Sequence, residues 1–199
     1  MIKNVVFDIG NVLSKFNYQE HFRKFAKDQE TYERLLNATV MTPTWDELDR
    51  GVWGEQAIVD RFVEQDPGIE KEIRDMYAHM DGIMEEYPYS TEWIKSLQKR
   101  GYRVLIISNF SELILRTNRK EMKFMDVIDG GILSYREKVI KPDPAIYELL
   151  MRQYDLRAEE CIFLDDRIEN VEGARAVGFQ GILVTSQEAA VAELETYLV

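Results

Sequence analysis

Residues 5–13 constrain this chain more than any other segment. They begin as a short hydrophobic strand that ends on Asp8, and Gly10 follows in a turn. An aspartate at the carboxyl end of a buried parallel strand lies where open α/β sheets hold their ligands. Burying such a charge is costly unless a partner compensates it. The segment therefore predicts a parallel sheet with a functional acid at its edge.

Short apolar strands and helical patterns alternate again after about residue 100, which indicates an α/β fold with a parallel sheet. Buried strands are predicted over residues 103–109, 160–164 and 181–184, and each is followed by polar turn residues. Two helices can cross over this sheet. One is predicted to begin with Ser90 as its N-cap, and the other opens at Asp143 with a proline directly after it.

Between about residues 16 and 88 the pattern changes. No run of β-branched residues occurs there, aromatic side chains recur at helical spacings, and Pro and Gly breaks suggest four or five short helices. We therefore predict an all-helical cap over residues 16–88, and a core formed by residues 1–15 and 89–199. Inserted after the first strand, the cap could act as a lid. Its residues that could contact a leaving group are Phe16, Asn17, Trp45, Arg50 and Trp53.

Composition narrows the range of partners. The net charge of -11, with no basic run to offset it, argues against binding to nucleic acid or to an anionic membrane surface. The one cysteine, Cys161, lies in an apolar run and is interpreted as a core residue, so no disulfide framework is expected. Neither a signal peptide nor a membrane-spanning stretch is evident, which predicts a cytoplasmic protein. The oligomeric state is not predicted.

Polar side chains fall where the predicted strands end. Ser108 and Asn109 follow the second strand, Lys141 precedes a helix start, and an aspartate pair, Asp165 and Asp166, follows the third. A parallel sheet brings these groups to the same edge as the first strand's acid. Two carboxylates about 4 Å apart repel by about 4 kcal/mol at an effective dielectric of roughly 20, and a divalent cation removes that repulsion. All-oxygen ligands favour Mg²⁺.

A magnesium site beside a lysine indicates phosphate chemistry. Asp8 could attack phosphorus to form an aspartyl-phosphate, provided that the cation and Lys141 screen the repulsion between the carboxylate and the phosphate oxygens. The Ser108 hydroxyl and the backbone amides of the following turn would hold those oxygens, with Asn109 nearby. Water would then hydrolyse the intermediate. These roles predict a phosphatase acting on a small phosphorylated metabolite.

In their order along the chain, these motifs resemble the four motifs of the haloacid dehalogenase superfamily, and together they span nearly the whole sequence. The resemblance implies a Rossmann-like parallel sheet core with helices on both faces and a small helical cap after the first strand. It also implies Asp8 as nucleophile, the Gly10 carbonyl and Asp166 as direct metal ligands, and Asp165 acting through water. Asn170, which follows the acidic pair, could orient Asp166 as a supporting group.

Gly10 departs from the family pattern. Most phosphatases of the superfamily carry an aspartate at this position as general acid and base, a role worth about 10² to 10⁴ in rate. The superfamily's 2-haloacid dehalogenases also lack it, but they work without metal and without the acidic pair. A second alternative is a catalytically weak protein that binds a phosphorylated ligand or a protein partner.

The third interpretation is a phosphatase whose substrate has an easy leaving group, such as an anomeric or acyl oxygen. The pattern Asp-x-Gly-Asn-Val is similar to that of bacterial sugar-1-phosphate phosphatases in the same superfamily. The sequence therefore favours a Mg²⁺-dependent phosphatase, acting on a sugar phosphate, over the other two interpretations.

Overall fold

A computed structural model describes residues 1–198 and contains seven strands and eleven α-helices in that range. The strands are β1 (Asn4–Phe7), β2 (Ser14–Phe16), β3 (Met84–Glu86), β4 (Arg103–Ser108), β5 (Gly130–Leu133), β6 (Cys161–Asp165) and β7 (Gln180–Leu183). The helices are α1 (Tyr18–Arg23), α2 (Gln29–Ala38), α3 (Pro43–Arg50), α4 (Glu55–Gln65), α5 (Glu70–Ala78), α6 (Ser90–Lys99), α7 (Glu112–Asn118), α8 (Ser134–Glu137), α9 (Pro144–Tyr154), α10 (Ile168–Ala176) and α11 (Gln187–Glu195). Within the described residues, no helix has both the length and the hydrophobicity to cross a membrane.

Five parallel strands form the main sheet in the order β5-β4-β1-β6-β7, which confirms the predicted fold class. Successive residues of β1 contribute to different hydrophobic clusters, Val5 and Phe7 to one and Val6 to the other. Helices α6 and α11 contribute to the first cluster, and α9 and α10 to the second. Because helices cover both faces, the central strands contain continuous apolar runs, over residues 5–7, 104–107 and 161–164.

The strand register fixes the position of the functional edge. Phe7 pairs with Ile106 on one side and with Leu164 on the other. The residues that follow these three, at the carboxyl ends of β1, β4 and β6, therefore meet at one edge of the sheet. Asp8 and Asp165 are direct neighbours there because each follows one member of the Phe7 and Leu164 pair.

Strand β5 was not predicted from the sequence. It begins with Gly130 and Gly131, whose φ values of 142° and 148° are unfavourable for other residues. A Cβ on Gly131 would lie only 2.3 Å from the Ile106 carbonyl oxygen. A strand with two glycines lacks the β-branched run by which the other strands are recognised.

The segment predicted to be all-helical contains the five helices α1–α5, but it is not helical throughout. Strands β2 and β3 pair antiparallel, with Phe16 opposite Met84, so the chain leaves and re-enters the core side by side. Trp45 packs between Phe22 and Phe62 inside the helical segment, at ring-centroid distances of 6.0 and 6.1 Å. Its aromatic residues thus form a packed interior, as their helical spacing indicates.

The starts of the two crossover helices differ from each other. Asp143 caps α9 as predicted, because its carboxylate accepts a hydrogen bond from the Ala145 amide at 2.9 Å. The predicted capping role of Ser90 is wrong. Its hydroxyl is buried and donates to the Leu13 carbonyl at 2.7 Å, so it ties α6 to the turn after β1 instead.

Helix α10 packs closely against the loop that carries Lys141. A Cβ on Gly173 would lie 2.8 Å from the Pro142 carbonyl oxygen and 3.1 Å from the Tyr147 hydroxyl. The same hydroxyl donates to the Asn170 carbonyl at 2.8 Å. Glycine is therefore required at this contact by space and not by backbone conformation.

Gly173→Ala should lower the free energy of unfolding. Overpacking typically costs about 1–3 kcal/mol, which exceeds the gain of up to about 1 kcal/mol that alanine brings to a helix. Urea denaturation would measure the difference. Gly54→Ala is the matched control, because a Cβ there meets nothing within 4 Å. Equal midpoints for the two variants would contradict the packing argument.

Candidate active site

Three carboxylates and one lysine meet at the carboxyl edge of the sheet. One oxygen each of Asp8, Asp165 and Asp166 lies within 4.8 Å of the others. The Lys141 ammonium lies 2.7 Å from Asp8 Oδ1 and 2.6 Å from Asp165 Oδ2. The lysine side chain is only 1% exposed. Residues more than 130 positions apart in the sequence are thus assembled into one buried ionic cluster.

Burial and charge act in opposite directions in this cluster. Burial raises the pKa of Asp8 to about 6, against the lowering effect of Lys141. Burial alone would lower the pKa of Lys141, but the charges of Asp165 and Asp8 outweigh it and raise the pKa above its ordinary value. Burial also raises the pKa of Asp166. The lysine is therefore held as a cation, and it supports negative charge on its two neighbours.

Besides Lys141, two donor groups hold Asp165 through three hydrogen bonds. The Asn170 amide lies 3.0 and 3.1 Å from its two oxygens, and the Arg167 backbone amide donates to it at 2.8 Å. The prediction that Asn170 orients Asp166 is therefore wrong. Asn170 is in the first turn of α10 and faces the buried end of β6, whereas the carboxylate of Asp166 accepts a hydrogen bond from Asn11 at 2.9 Å.

The two residues predicted to bind phosphate differ in their surroundings. The Ser108 hydroxyl is buried beside the cavity, where it opposes the rise in the pKa of Asp8. Asn109 instead forms two bonds with the backbone of Lys141: its amide donates to the Lys141 carbonyl at 3.1 Å, and its oxygen accepts from the Lys141 amide at 2.7 Å. In the turn that follows, the Phe110 amide donates to Ser134 Oγ at 2.8 Å. Asn109 thus positions the lysine loop, and the Phe110 amide is already engaged.

A cavity of about 220 Å³ opens above the ionic cluster, between the sheet edge and the helical segment. Besides Asp8, Gly10, Ser108, Asn109, Lys141 and Asp166, it is lined by Asn11, Phe16, Val40, Trp45, Asp46, Asp49, Met84, Phe110, Ile114, Arg167 and Asn170. The lining therefore combines apolar side chains with polar ones, which include two acids and one arginine outside the carboxylate cluster.

The residues proposed for specificity separate in the structure. Phe16 and Trp45 line the cavity, as expected for contacts to a leaving group. Arg50 lies outside it and pairs with Glu47 at 3.2 Å. Trp53 also lies outside the cavity, with 41% of its surface exposed. Asn17 is not among the lining residues. Only one face of helix α3 lines the cavity, and the sequence pattern did not show which face that is.

Four polar lining residues were missed by the sequence analysis. Asn11 and Arg167 adjoin predicted site residues directly, so their positions next to Gly10 and Asp166 were an available signal. Asp46 and Asp49 had no such signal. Both are acids of α3, and only the packing of that helix over the sheet edge places them in the cavity.

The carboxylate cluster suits a hard divalent cation. Its ligand atoms are all oxygens, and neither histidine nor cysteine belongs to it. Gly10 lies at the same edge and lines the cavity. Lys141 contacts one oxygen each of Asp8 and Asp165, so a bound cation would complete the charge balance of the three carboxylates.

Comparison with known proteins defines the class to which this site belongs. The family model described as haloacid dehalogenase-like hydrolase matches residues 2–178. The chain therefore belongs to the haloacid dehalogenase-like (HAD) hydrolase family, as the order of its motifs predicted.

Individual relatives and structures agree with this assignment. A sesquiterpene phosphatase of Aspergillus oryzae is 28% identical over 192 residues, which cover 96% of this chain and 94% of that protein. A phosphatase of Mycobacterium tuberculosis is 26% identical, over 92% of this chain and 87% of its own. A HAD family enzyme of Bacteroides thetaiotaomicron, crystallised with magnesium and inorganic phosphate, has a TM-score of 0.73 at 20% identity and covers 96% of this chain and 99% of its own.

Lys141→Met should strongly destabilise the protein, because it leaves two carboxylates buried without their cation. Removing one partner of a buried ion pair costs about 3–5 kcal/mol. Lys3→Met is the matched control, since Lys3 pairs with Glu160 on the surface, where such a pair contributes about 0–1 kcal/mol. Chemical denaturation without divalent cations measures both. Similar losses of unfolding free energy in the two variants would show that the buried ion pairs stabilise the protein no more than the surface pair does.

Proposed function

We propose that this protein is a Mg²⁺-dependent phosphatase that hydrolyses a small phosphorylated metabolite through an aspartyl-phosphate on Asp8. The observation that carries the proposal is the position of Lys141, 2.7 Å from Asp8 Oδ1, in a carboxylate cluster that opens into the cavity. A buried lysine beside a buried carboxylate suits a nucleophile that must approach a phosphate dianion. The phosphatases among the relatives support the same reaction class.

The chemistry assigned to each residue follows from its contacts. Asp8 attacks phosphorus and the bond to the leaving oxygen breaks; water then cleaves the aspartyl-phosphate and regenerates the carboxylate. Lys141 neutralises charge between the carboxylate and the phosphate oxygens, and the Ser108 hydroxyl is close enough to Asp8 to bond one of those oxygens. A cation held by Asp8, Asp166 and the Gly10 carbonyl, with Asp165 acting through water, would screen the remaining repulsion.

Asn170 is assigned a supporting role, now through Asp165, to which it donates. By keeping that carboxylate in place, it also keeps the Lys141 ammonium next to Asp8, because the lysine bridges the two acids. Asn109 lines the cavity, and it also bonds the backbone of Lys141. We therefore assign it a second role, which is to position that lysine.

Dehalogenation is the main competing reaction. A (S)-2-haloacid dehalogenase of Burkholderia cepacia is 26% identical over 117 residues, which cover 59% of this chain and 51% of that protein. The acidic pair Asp165 and Asp166 favours phosphatase chemistry, because a halide leaving group gives a metal site no phosphate to neutralise. A protein that only binds a phosphorylated ligand would retain the same pocket, so activity must decide.

The Asp8→Asn variant should lose phosphatase activity by at least about 10³-fold, because the covalent path is closed without its nucleophile. Asp126→Asn, at an exposed acid outside the cavity, is the control and should keep full activity. Phosphate release would be measured with Mg²⁺ and after removal of metal by a chelator. Activity that survives both treatments would contradict the proposal, and metal-independent halide release from a 2-haloacid would favour a dehalogenase.

The leaving group could come from two classes of alcohol. A sugar phosphate is the first candidate, on the similarity of the Asp-x-Gly-Asn-Val segment to sugar-1-phosphate phosphatases. The ester of an apolar alcohol is the second. It is favoured by the apolar lining of Phe16, Val40, Trp45, Met84 and Ile114, and one relative is a sesquiterpene phosphatase. Sugars require several hydrogen-bonding partners, and Asn11, Asp46 and Arg167 of the same lining could supply them.

A substrate panel separates the two classes. If the apolar lining binds the leaving group, Val40→Thr should raise KM for an apolar alkyl phosphate by several-fold, because a hydroxyl would be buried against it. Val52→Thr, on the exposed segment outside the cavity, is the control and should change nothing. An unchanged KM for the alkyl phosphate, with efficient turnover of sugar-1-phosphates, would instead support a sugar substrate.

We further propose that the protein acts in the cytoplasm on a free metabolite, without nucleic acid or membrane partners. The net charge of -11 supports this, because it opposes contact with polyanions. A phosphate ester would still be attracted locally, since Lys141 and Arg167 both face the cavity.

A further inference from the structure

Asp49 is an acid of the helical segment that lines the same cavity as the nucleophile. It lies in the last turn of α3 and lines the cavity together with Asp8 and Lys141. Among residues 1–198, no side chain or backbone group forms a hydrogen bond or ion pair with its carboxylate, although it is partly buried. A partly buried carboxyl group that lines a cavity and has no partner is a candidate for a functional role.

The position of Asp49 is fixed by contacts with the core. Ser134 Oγ, at the start of α8, donates to the Asp49 carbonyl at 2.6 Å and accepts a hydrogen bond from the Phe110 amide at 2.8 Å. Lys138 Nζ donates to the Gly51 carbonyl at 2.5 Å. These bonds tie the end of α3 to the turn that follows Ser108. They therefore fix the position of Asp49 relative to the edge of the sheet.

The surroundings of Asp49 favour its protonated form. Burial, together with the negative charges of Asp46 and Asp8, raises the pKa of its carboxyl group to about 8, against the opposing effect of Lys141 and Arg167. Near neutral pH this acid therefore carries a proton, unlike an ordinary aspartate. A group with a pKa close to the working pH is suited both to donate and to accept a proton.

We propose that Asp49 is the general acid and base of the reaction, taking the role that an aspartate at the position of Gly10 has in other phosphatases. When Asp8 attacks, the bond between phosphorus and the leaving oxygen breaks, and the Asp49 proton passes to that oxygen to release the alcohol. In the second step, water attacks phosphorus and gives one proton to the Asp49 carboxylate. The bond from Asp8 to phosphorus breaks, which restores both acids and releases phosphate.

This inference rests on the proposed phosphatase activity, and it changes the expected substrate range. If no other residue replaced the aspartate that is missing at Gly10, only esters with easy leaving groups would react well. An acid supplied from α3 allows ordinary alcohols to leave, which agrees with the apolar lining of the same cavity.

Asp49→Asn tests the role through its dependence on the leaving group. The variant should lose about 10² to 10⁴-fold in kcat/KM for an alkyl phosphate, and far less for p-nitrophenyl phosphate, whose leaving group needs no proton. With p-nitrophenyl phosphate it should also show a burst of nitrophenol, because the aspartyl-phosphate hydrolyses slowly without the base. If Asp49 had only a structural role, the variant would lose kcat/KM equally for both substrates and would show no burst. That result would overturn the proposal.

Asp46→Asn is the matched comparison, since Asp46 is an acid of the same helix that lines the same cavity. If this variant shows the selective loss and Asp49→Asn does not, the role belongs to Asp46 and the proposal fails. A native chain that hydrolyses no phosphate ester overturns the phosphatase and this role together. A native chain that hydrolyses p-nitrophenyl phosphate but no alkyl phosphate overturns only the role of Asp49.

Gly10→Asp provides a rescue. The site has room for the side chain, because a Cβ there meets only Asp8 Oδ2, at 4.0 Å. Added to Asp49→Asn, it should restore much of the activity on the alkyl phosphate. By itself, Gly10→Asp should raise kcat/KM for the alkyl phosphate no more than for p-nitrophenyl phosphate, because Asp49 already supplies the acid. This comparison does not require that Asp49→Asn folds. A large gain in the single variant, confined to alkyl phosphates, would show that the native chain lacks an acid.

Discussion

The buried ion pairs of Lys141 organise the functional edge of this protein. The ammonium joins Asp8, at the end of the first strand, to Asp165, at the end of the strand beside it. Burying these charges is favourable only when their remaining hydrogen-bonding groups are satisfied. Asn170 and the Arg167 amide do so for Asp165, and Asn109 holds the backbone of Lys141. The cluster thus joins four chain segments and prepares a charged site before any ligand arrives.

The helical segment is attached to this edge at two places. The paired strands β2 and β3 carry the chain out of the core and back, and Asn118 of α7 bonds the backbone at Met84 and Met80 beside them. The second attachment is the end of α3 on α8, through Ser134 and Lys138. The cavity lies between the two attachments. The sheet edge therefore contributes charged groups to its lining, and the helical segment contributes apolar and acidic side chains.

Particular residues show how far sequence reasoning reached. Asp8, Lys141 and the acidic pair were found because each follows a recognisable strand or opens a helix, and parallel strands end at a common edge. Asn170 was found but assigned to the wrong carboxylate, because residue spacing does not tell which of two adjacent acids a helix faces. Strand β5 was missed because its glycines carry no β-strand signal, although the sheet provides a place for them.

By itself, the sequence determined the α/β class, the helical insert and the charged residues at the strand ends, since hydrophobic periodicity and turn residues are local properties. Only the tertiary structure decided that Lys141 bridges two acids, that Trp45 lines the cavity while Trp53 does not, and that Asp49 lines the same cavity as Asp8. These facts depend on how one element is rotated and placed against another. Such placement arises from packing between segments far apart in the chain, which no local pattern encodes.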